Sequence, residues 1–335
     1  MHNKALFFMF AVLLACVFFY GAGQSDFPRL QRTYLGQKPP GKNPLIFAPG
    51  IVSTGLEEST IAFTPDGTEC YWTIHVNGFE TIAVSKLSNG VWTKPDVASF
   101  CGKFLDGFPA IHPDGSRFFF HSYRPLTTSD SPAKNVNIWY MDRKNGTWGV
   151  PKPIGPPING SGNVTCPSVT CTGTLYFSRV MEDGSEQVMC SVYKDGMYLD
   201  PVPLPDTVNS DKYNFHACIA PDESFLIIPR HGRSDCLGGE WNYYVSFRRS
   251  DGGWSELKNL GSLINNSRAA VAPSLSSDGK YFFFQADFPA SYSQKIEKRK
   301  TLLEWKEYLV THPVNYGKDI YWVDINVIRE LRPEE

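Results

Sequence analysis

The sequence has almost no net charge: 32 basic residues against 34 acidic ones leave −2. Without a basic field, neither nucleic acid nor an acidic membrane surface is an expected partner. It lacks the short signatures of the common enzyme classes, with no G-x-S-x-G, no H-E-x-x-H, no phosphate-cradling glycine loop and no EF-hand loop. It lacks C-x-x-C pairs as well. Past residue 23 the cysteines stand at 70, 101, 166, 171, 190, 218 and 236, an odd number at irregular spacing, so neither a zinc site nor a disulfide framework is expected. Most should be small buried apolar residues. No metal and no cofactor is expected.

Only one apolar run is long. Residues 5–20 form 16 apolar positions behind the charge of Lys4 and ahead of Gly21, Ala22 and Gly23, the layout of a secretory signal rather than of a spanning helix, which needs about 20. Residues 1–23 are therefore read as a signal peptide. The exported protein, periplasmic or extracellular, then begins near Gln24 with a 24–43 extension. Two alternatives stay open: an uncleaved anchor, and acylation at Cys16, since Leu13-Leu-Ala-Cys16 resembles a bacterial lipobox. A membrane is a partner only through this segment. Asn145, Asn159, Asn163 and Asn265 each open a glycosylation triplet by pattern.

What the sequence does have is glycine (28), proline (25) and 14% aromatics, a composition that suits short strands and tight turns. A repeat organises them. Ile61-Ala-Phe-Thr-Pro-Asp-Gly67 leads into Cys70-Tyr-Trp-Thr73, Ala110-Ile-His-Pro-Asp-Gly115 into Phe118-Phe-Phe-His121, and Pro167-Ser-Val-Thr-Cys-Thr-Gly173 into Leu175-Tyr-Phe-Ser178. Cys218-Ile-Ala-Pro-Asp-Glu223 and Pro273-Ser-Leu-Ser-Ser-Asp-Gly279 open two more units. The turn positions Asp66, Asp114, Thr172, Asp222 and Asp278 lie 48, 58, 50 and 56 residues apart. Each unit reads as an Asp-Gly hairpin followed by a third strand and an aromatic outer strand beginning at Trp92, Trp148, Tyr198 or Trp254. The fold class is all-β: a single β-propeller over 44–335, with five recognisable four-stranded blades, six being the alternative. Residues 44–50 and 326–331 read as lone outer strands, either of which can close the ring. The last blade carries an insertion, 287–316, with an amphipathic helix over 293–310. The recurring Trp92, Trp148, Trp254, Phe119 and Tyr176 should pack between blades.

These hairpins resemble the TolB-like, WD-type propeller repeats of bacterial envelope proteins. The likeness is carried by Phe47-Ala-Pro-Gly-Ile-Val-Ser53, Gly173-Thr-Leu-Tyr-Phe-Ser-Arg179, Ala220-Pro-Asp-Glu-Ser224, Ser246-Phe-Arg-Arg249 and Asp319-Ile-Tyr-Trp-Val-Asp324, and it runs from about residue 46 to 333. It implies an envelope protein that binds or assembles with others. An acidic residue common before the first strand of such blades is kept here by Asp106, whereas 162–166, 213–217 and 268–272 lack it.

Candidate site residues come from the ends of the second strands: His75, His121, Arg124, Arg179, Arg230 and His231. Equivalent strand ends converge on one face of a propeller, and guanidinium and imidazole groups together suit an anionic ligand such as a carboxylated sugar. Pairing with neighbours such as Glu182 and Asp235 is the structural alternative. Carboxylates that a carbohydrate-active hydrolase or lyase would need include Asp106, Asp211 and Glu240. The sequence leans to a non-catalytic binding or assembly module in the envelope, with an envelope protein or an anionic carbohydrate as partner.

Overall fold

Every one of the five hairpins becomes the core of an antiparallel sheet in the computed structural model, which describes residues 27–127, 133–160, 162–237, 241–265, 271–287, 300–311 and 318–334. Blade 1 is built from Glu57–Phe63, Glu69–Val76, Phe79–Ser88 and Asp96–Val97, and blade 2 from Asp106–Ile111, Arg117–Ser122, Asn137–Lys144 and Lys152–Pro153. Blade 3 holds Val164–Val169, Leu175–Val180, Glu186–Ser191 and Val202–Pro203, and blade 4 holds Cys218–Ile219, Phe225–His231, Trp241–Phe247 and Lys258–Asn259. Blade 5 takes three strands from the end of the chain, Val271–Leu275, Tyr281–Ala286 and Asp319–Asp324, and its fourth, Leu45–Ile46, from the beginning. The chain is a five-bladed β-propeller.

The closing strand pairs Leu45 with Trp322 and Ile46 with Tyr321, and the Phe47 amide donates to the Ile320 carbonyl. Phe47 itself is fully buried against Phe63, Phe283 and Trp322. The other expected lone strand is not one. Asn326–Arg329 is a short helix that begins where the Asp324 carboxylate accepts the Asn326 amide at 2.8 Å, and Ile328 drops into the blade 4–5 core. A second correction concerns the outer strands. Val91–Trp92, Thr147–Trp148 and Met197–Tyr198 form small side hairpins, while the true fourth strands follow a few residues later. The turn between brings each aromatic down onto the blade before its own: Trp148 donates to Glu69 Oε2 and the Tyr71 hydroxyl, both at 2.9 Å, and Trp254 shares a buried cluster with Tyr176 and Val188.

The signal and lipobox readings, and the insertion before residue 300, lie outside the described residues. The insertion's helix runs from Leu302 to Thr311 behind a capping box in which Thr301 and Glu304 exchange hydrogen bonds. Leu302 and Leu303 are exposed, and Trp305 and Tyr308 are half-buried and in edge-on contact.

The first strand of each blade lines the axis, and in it, or in blade 4 two residues ahead of it, stands one residue with φ in the left-handed region: Thr60, Phe108, Cys166, His216 and Ala272. In blades 1, 2, 3 and 5 this residue sits at a register shift against the second strand, so it is the extra residue of a β-bulge. The Phe108 and His216 rings meet at 4.6 Å. Phe108, Cys166 and Ala272 close the axis as a small apolar cluster, and the neighbouring blade holds the bulge in place: Thr73 Oγ1 accepts the Phe108 amide at 2.9 Å and Ser178 Oγ accepts the His216 amide at 3.1 Å.

Candidate functional site

One face of the propeller collects the starts of the first strands, the ends of the second and the links between blades. At its centre the Phe108 ring lies 4.8 Å from His121, 4.6 Å from His216 and 6.4 Å from His75, centroid to centroid. The Glu80 carboxylate ties this group together. His121 Nε2 stands 2.6 Å from its Oε1, and His75 Nδ1 is 3.8 Å from its Oε2, while His75 Nε2 is 2.7 Å from Ser59 Oγ. Gly107 makes the arrangement possible, because a Cβ there would stand 2.8 Å from Glu80 Oε2 and 3.0 Å from His121 Nε2.

The electrostatics follow from burial and from these partners. Burial pushes the Glu80 carboxyl up, but the charge and hydrogen bond of His121, with His75 and His216 behind it, hold it below the ordinary carboxylate range. Burial lowers His75, and burial with two imidazole neighbours pulls His216 down to about 3, so His216 is neutral. Beside them a second group of acids behaves in the opposite way. Burial raises Glu58 to about 8 although the Thr54 hydroxyl and amide both bond to it, and burial raises Asp319 to about 7. Glu57, nearer solvent, takes Lys318 Nζ at 2.9 Å and Gln285 Nε2 at 3.4 Å.

From this centre a row of rings runs outward to blade 4: Phe108 to His216, His216 to Phe215 at 4.7 Å, Phe215 to Trp241 at 5.0 Å, and Trp241 to His231 at 5.0 Å. Three of the six sequence candidates, His75, His121 and His231, therefore belong to one continuous set of ring contacts, in which His121 and Phe108 are buried. The three arginines do not join it. Each turns into the link that enters its own blade and donates to main-chain carbonyls there: Arg124 to Phe100, Arg179 to Pro157 at 3.2 Å and Ile158 at 2.7 Å, Arg230 to Tyr213 at 3.4 Å. Arg124 also pairs with the buried Asp106 at 3.1 Å, and Arg230, with no exposed surface, lies 3.7 Å from Asp211. Burial lowers Arg230 to about 10. Glu240 lies outside the described residues.

Sequence reasoning missed Glu80, His216, Glu58 and Asp319. The signal for the first was weak, a single acid just past the Asn77-Gly78 turn, in the third strand of blade 1. His216 had a better one, since it holds the same offset of six before its turn residue Asp222 as Phe108 does before Asp114. Among the described residues no group of three or more His, Cys, Asp or Glu is placed to hold a metal ion.

No family model and no curated protein matches the sequence. Among solved structures the chain is similar to TolB from Acinetobacter baumannii, with 18% identity over 69% of this chain and 49% of that one and a TM-score of 0.45. It is similar also to an α-L-arabinofuranosidase from Lactobacillus brevis (11% identity, 82% and 91% covered, TM-score 0.48) and to a GH62 hydrolase in complex with xylotriose (10% identity, 84% and 97% covered, TM-score 0.48). The chain spans about half the length of the TolB structure. These are likenesses of fold, and none carries a residue role or an activity to this chain. The fold and the central group define a five-bladed propeller with an imidazole-rich axial mouth.

Proposed function

We propose that the protein is an exported propeller acting as a non-catalytic binding or assembly module, and that a carbohydrate is the ligand of its axial mouth. One observation carries the reading: the mouth's charged groups are engaged with one another, Glu80 with His121 and Glu57 with Lys318, while His216, Phe215 and Trp241 stay half-exposed beside them. Ring faces take the apolar C–H side of a sugar, and imidazole and carboxylate edges take its hydroxyls. Export rests on residues 1–23 and is checked by N-terminal sequencing of secreted protein, which should begin near Gln24.

The test of binding is calorimetric titration with a panel of neutral and uronic-acid polysaccharides. We expect at least one to bind with its chain length unchanged, and Trp241→Ala to weaken it tenfold or more. No binding across the panel, or a Trp241→Ala variant that binds as the parent does, would sink the carbohydrate reading. A second reading, a hydrolase or lyase, is favoured by two buried carboxyls of this protein pushed in opposite directions, Glu80 held down by its histidines and Asp319 raised by burial to about 7, since acid and base chemistry needs carboxyls of different strength. Release of new reducing ends in the same incubations, abolished by Asp319→Asn, would establish it in place of the first.

A further inference from the structure

On the face opposite the mouth, a cavity of about 320 Å³ opens between the turn after the third strand of blade 4 and the end of the chain. Its charged lining is Arg248, Arg249, Asp251 and Arg332, three guanidinium groups against one carboxylate. The backbone brings the first and last of these arginines together. The Arg248 amide donates to the Ser224 carbonyl at 3.0 Å, and Arg332 Nη2 donates to the same oxygen at 2.9 Å. Both side chains are preset. Arg248 lies 4.5 Å over the Trp254 ring with Nη1 on the Gly252 carbonyl at 3.1 Å, and Arg332 lies 5.3 Å over the Phe247 ring. A guanidinium seated on a ring keeps its remaining N–H edges for a ligand and loses little freedom when one binds.

The charges around the cavity select an anion. Asp251 is saturated within its own turn: Oδ1 takes Arg249 Nε at 3.1 Å and the Gly253 amide at 2.8 Å, and Oδ2 takes Arg249 Nη2 at 2.8 Å. Glu223 is outside the lining; its Oε1 accepts the Tyr176 hydroxyl at 3.0 Å and its Oε2 stands 3.4 Å from Arg248 Nη2. Glu334, beyond Pro333, is outside the lining too. Arg332 makes no ion pair among the described residues. Lys258 Nζ, on the Leu331 carbonyl at 3.0 Å, adds a further positive charge beside it. With Arg248 and Arg249 each set against its acid, a positive excess therefore remains. Two guanidinium groups at one carbonyl also favour one kind of anion. A carboxylate has two oxygens and is satisfied by a single guanidinium, whereas a phosphate monoester has three free oxygens and a charge of about −1.5 to −2 at pH 7, and can bridge two.

We infer that this cavity is a binding site for a phosphate group, gripped between Arg248 and Arg332. The site does not depend on the carbohydrate reading, which concerns the other face. The chemistry can be dissected with three probes that share a three-carbon body and carry no sugar ring: glycerol 3-phosphate, glycerate and glycerol, titrated calorimetrically into the full chain at neutral pH and low ionic strength. Glycerol 3-phosphate should bind at least tenfold more tightly than glycerate, and glycerol should give no heat. Arg332→Gln should weaken glycerol 3-phosphate tenfold or more while the melting temperature holds, because the side chain is exposed. Arg248→Gln should weaken it as well. Inorganic phosphate separates the two sources of the group: affinity equal to that of glycerol 3-phosphate supports the site with the free ion as ligand, and weaker affinity supports it with an esterified one. The inference is overturned if glycerol 3-phosphate gives no heat, if glycerate binds as tightly, or if binding survives Arg332→Gln unchanged. Trp241→Ala should leave glycerol 3-phosphate untouched, so that failure of the carbohydrate site and failure of this one read separately.

Discussion

Arg230 shows what a single side chain can hide. It is fully buried and reaches a carbonyl of the link before its strand, as Arg124 and Arg179 do in their own blades. A buried guanidinium bonded to main chain is a structural clamp, and its loss leaves carbonyls unsatisfied. Arg179→Ala and Arg230→Ala should each lower unfolding free energy in urea by about 1.5–3 kcal/mol, the range for hydrogen bonds to charged groups. Parent-like stability with weakened ligand binding would instead return these arginines to the site. Glu58 makes a prediction in pH. Its carboxyl sits near 4.5 when unfolded and at about 8 when folded, so its contribution is fully present below pH 4.5 and is lost as pH rises toward 8. Glu58→Gln should therefore gain stability relative to the parent across that window, seen as a diverging pair of urea midpoints. His216 runs the other way. Its folded value of about 3 lies below the usual 6.5, so its contribution is present above pH 6.5 and is lost as pH falls toward 3. Replacing it with Gln should reduce the acid sensitivity of the parent in that range.

The elements divide into those the sequence announces and those it conceals. The hairpins are legible because their turns are local chemistry: Asp66, Asp114, Asp222 and Asp278 each accept the amide two residues on, and that need writes Asp into the chain at a blade's spacing. A second repeat is as regular but sparser. Ile158-Asn159, Val208-Asn209 and Ile264-Asn265 place an asparagine whose side chain both accepts from and donates to the main chain of Ile138, Val188 and Tyr243 in the third strand. Two residues per blade give too little pattern to notice until the strand edge they satisfy is seen. This overturns two of the glycosylation triplets, because Asn159 and Asn265 are buried with their amides engaged. Protein secreted from a glycosylating host should show no glycan on either by peptide mass spectrometry, while the exposed turn residue Asn145 remains available. Asn209→Ala should cost about 1–3 kcal/mol and speed exchange of the Val188 amide. The mouth was legible only in its histidines. Glu80 and Asp319 stand at the starts of the third strands of blades 1 and 5, with no motif around either to mark it, and contacts made across blades leave no trace along the chain.

At the scale of the whole molecule the ring depends on Leu45–Ile46. Cutting the chain back to residue 50 removes the outer strand of blade 5 and uncovers the buried edge beside Trp322, so we expect loss of cooperative melting or aggregation. Removal of 333–335, of which Pro333 and Glu334 are exposed, should leave the melting temperature within a degree or two. Loss of 326–332 should fall between, since Ile328 fills the blade 4–5 core without closing the ring. The pairing of Leu45 with Trp322 also has a temporal side. A ribosome adding about 5–20 residues per second needs on the order of tens of seconds to reach the second partner after making the first. Through that interval four blades can form in order, each stacking on the last, but the circle has no seam to shut. The early strand must wait unpaired until the late partner arrives.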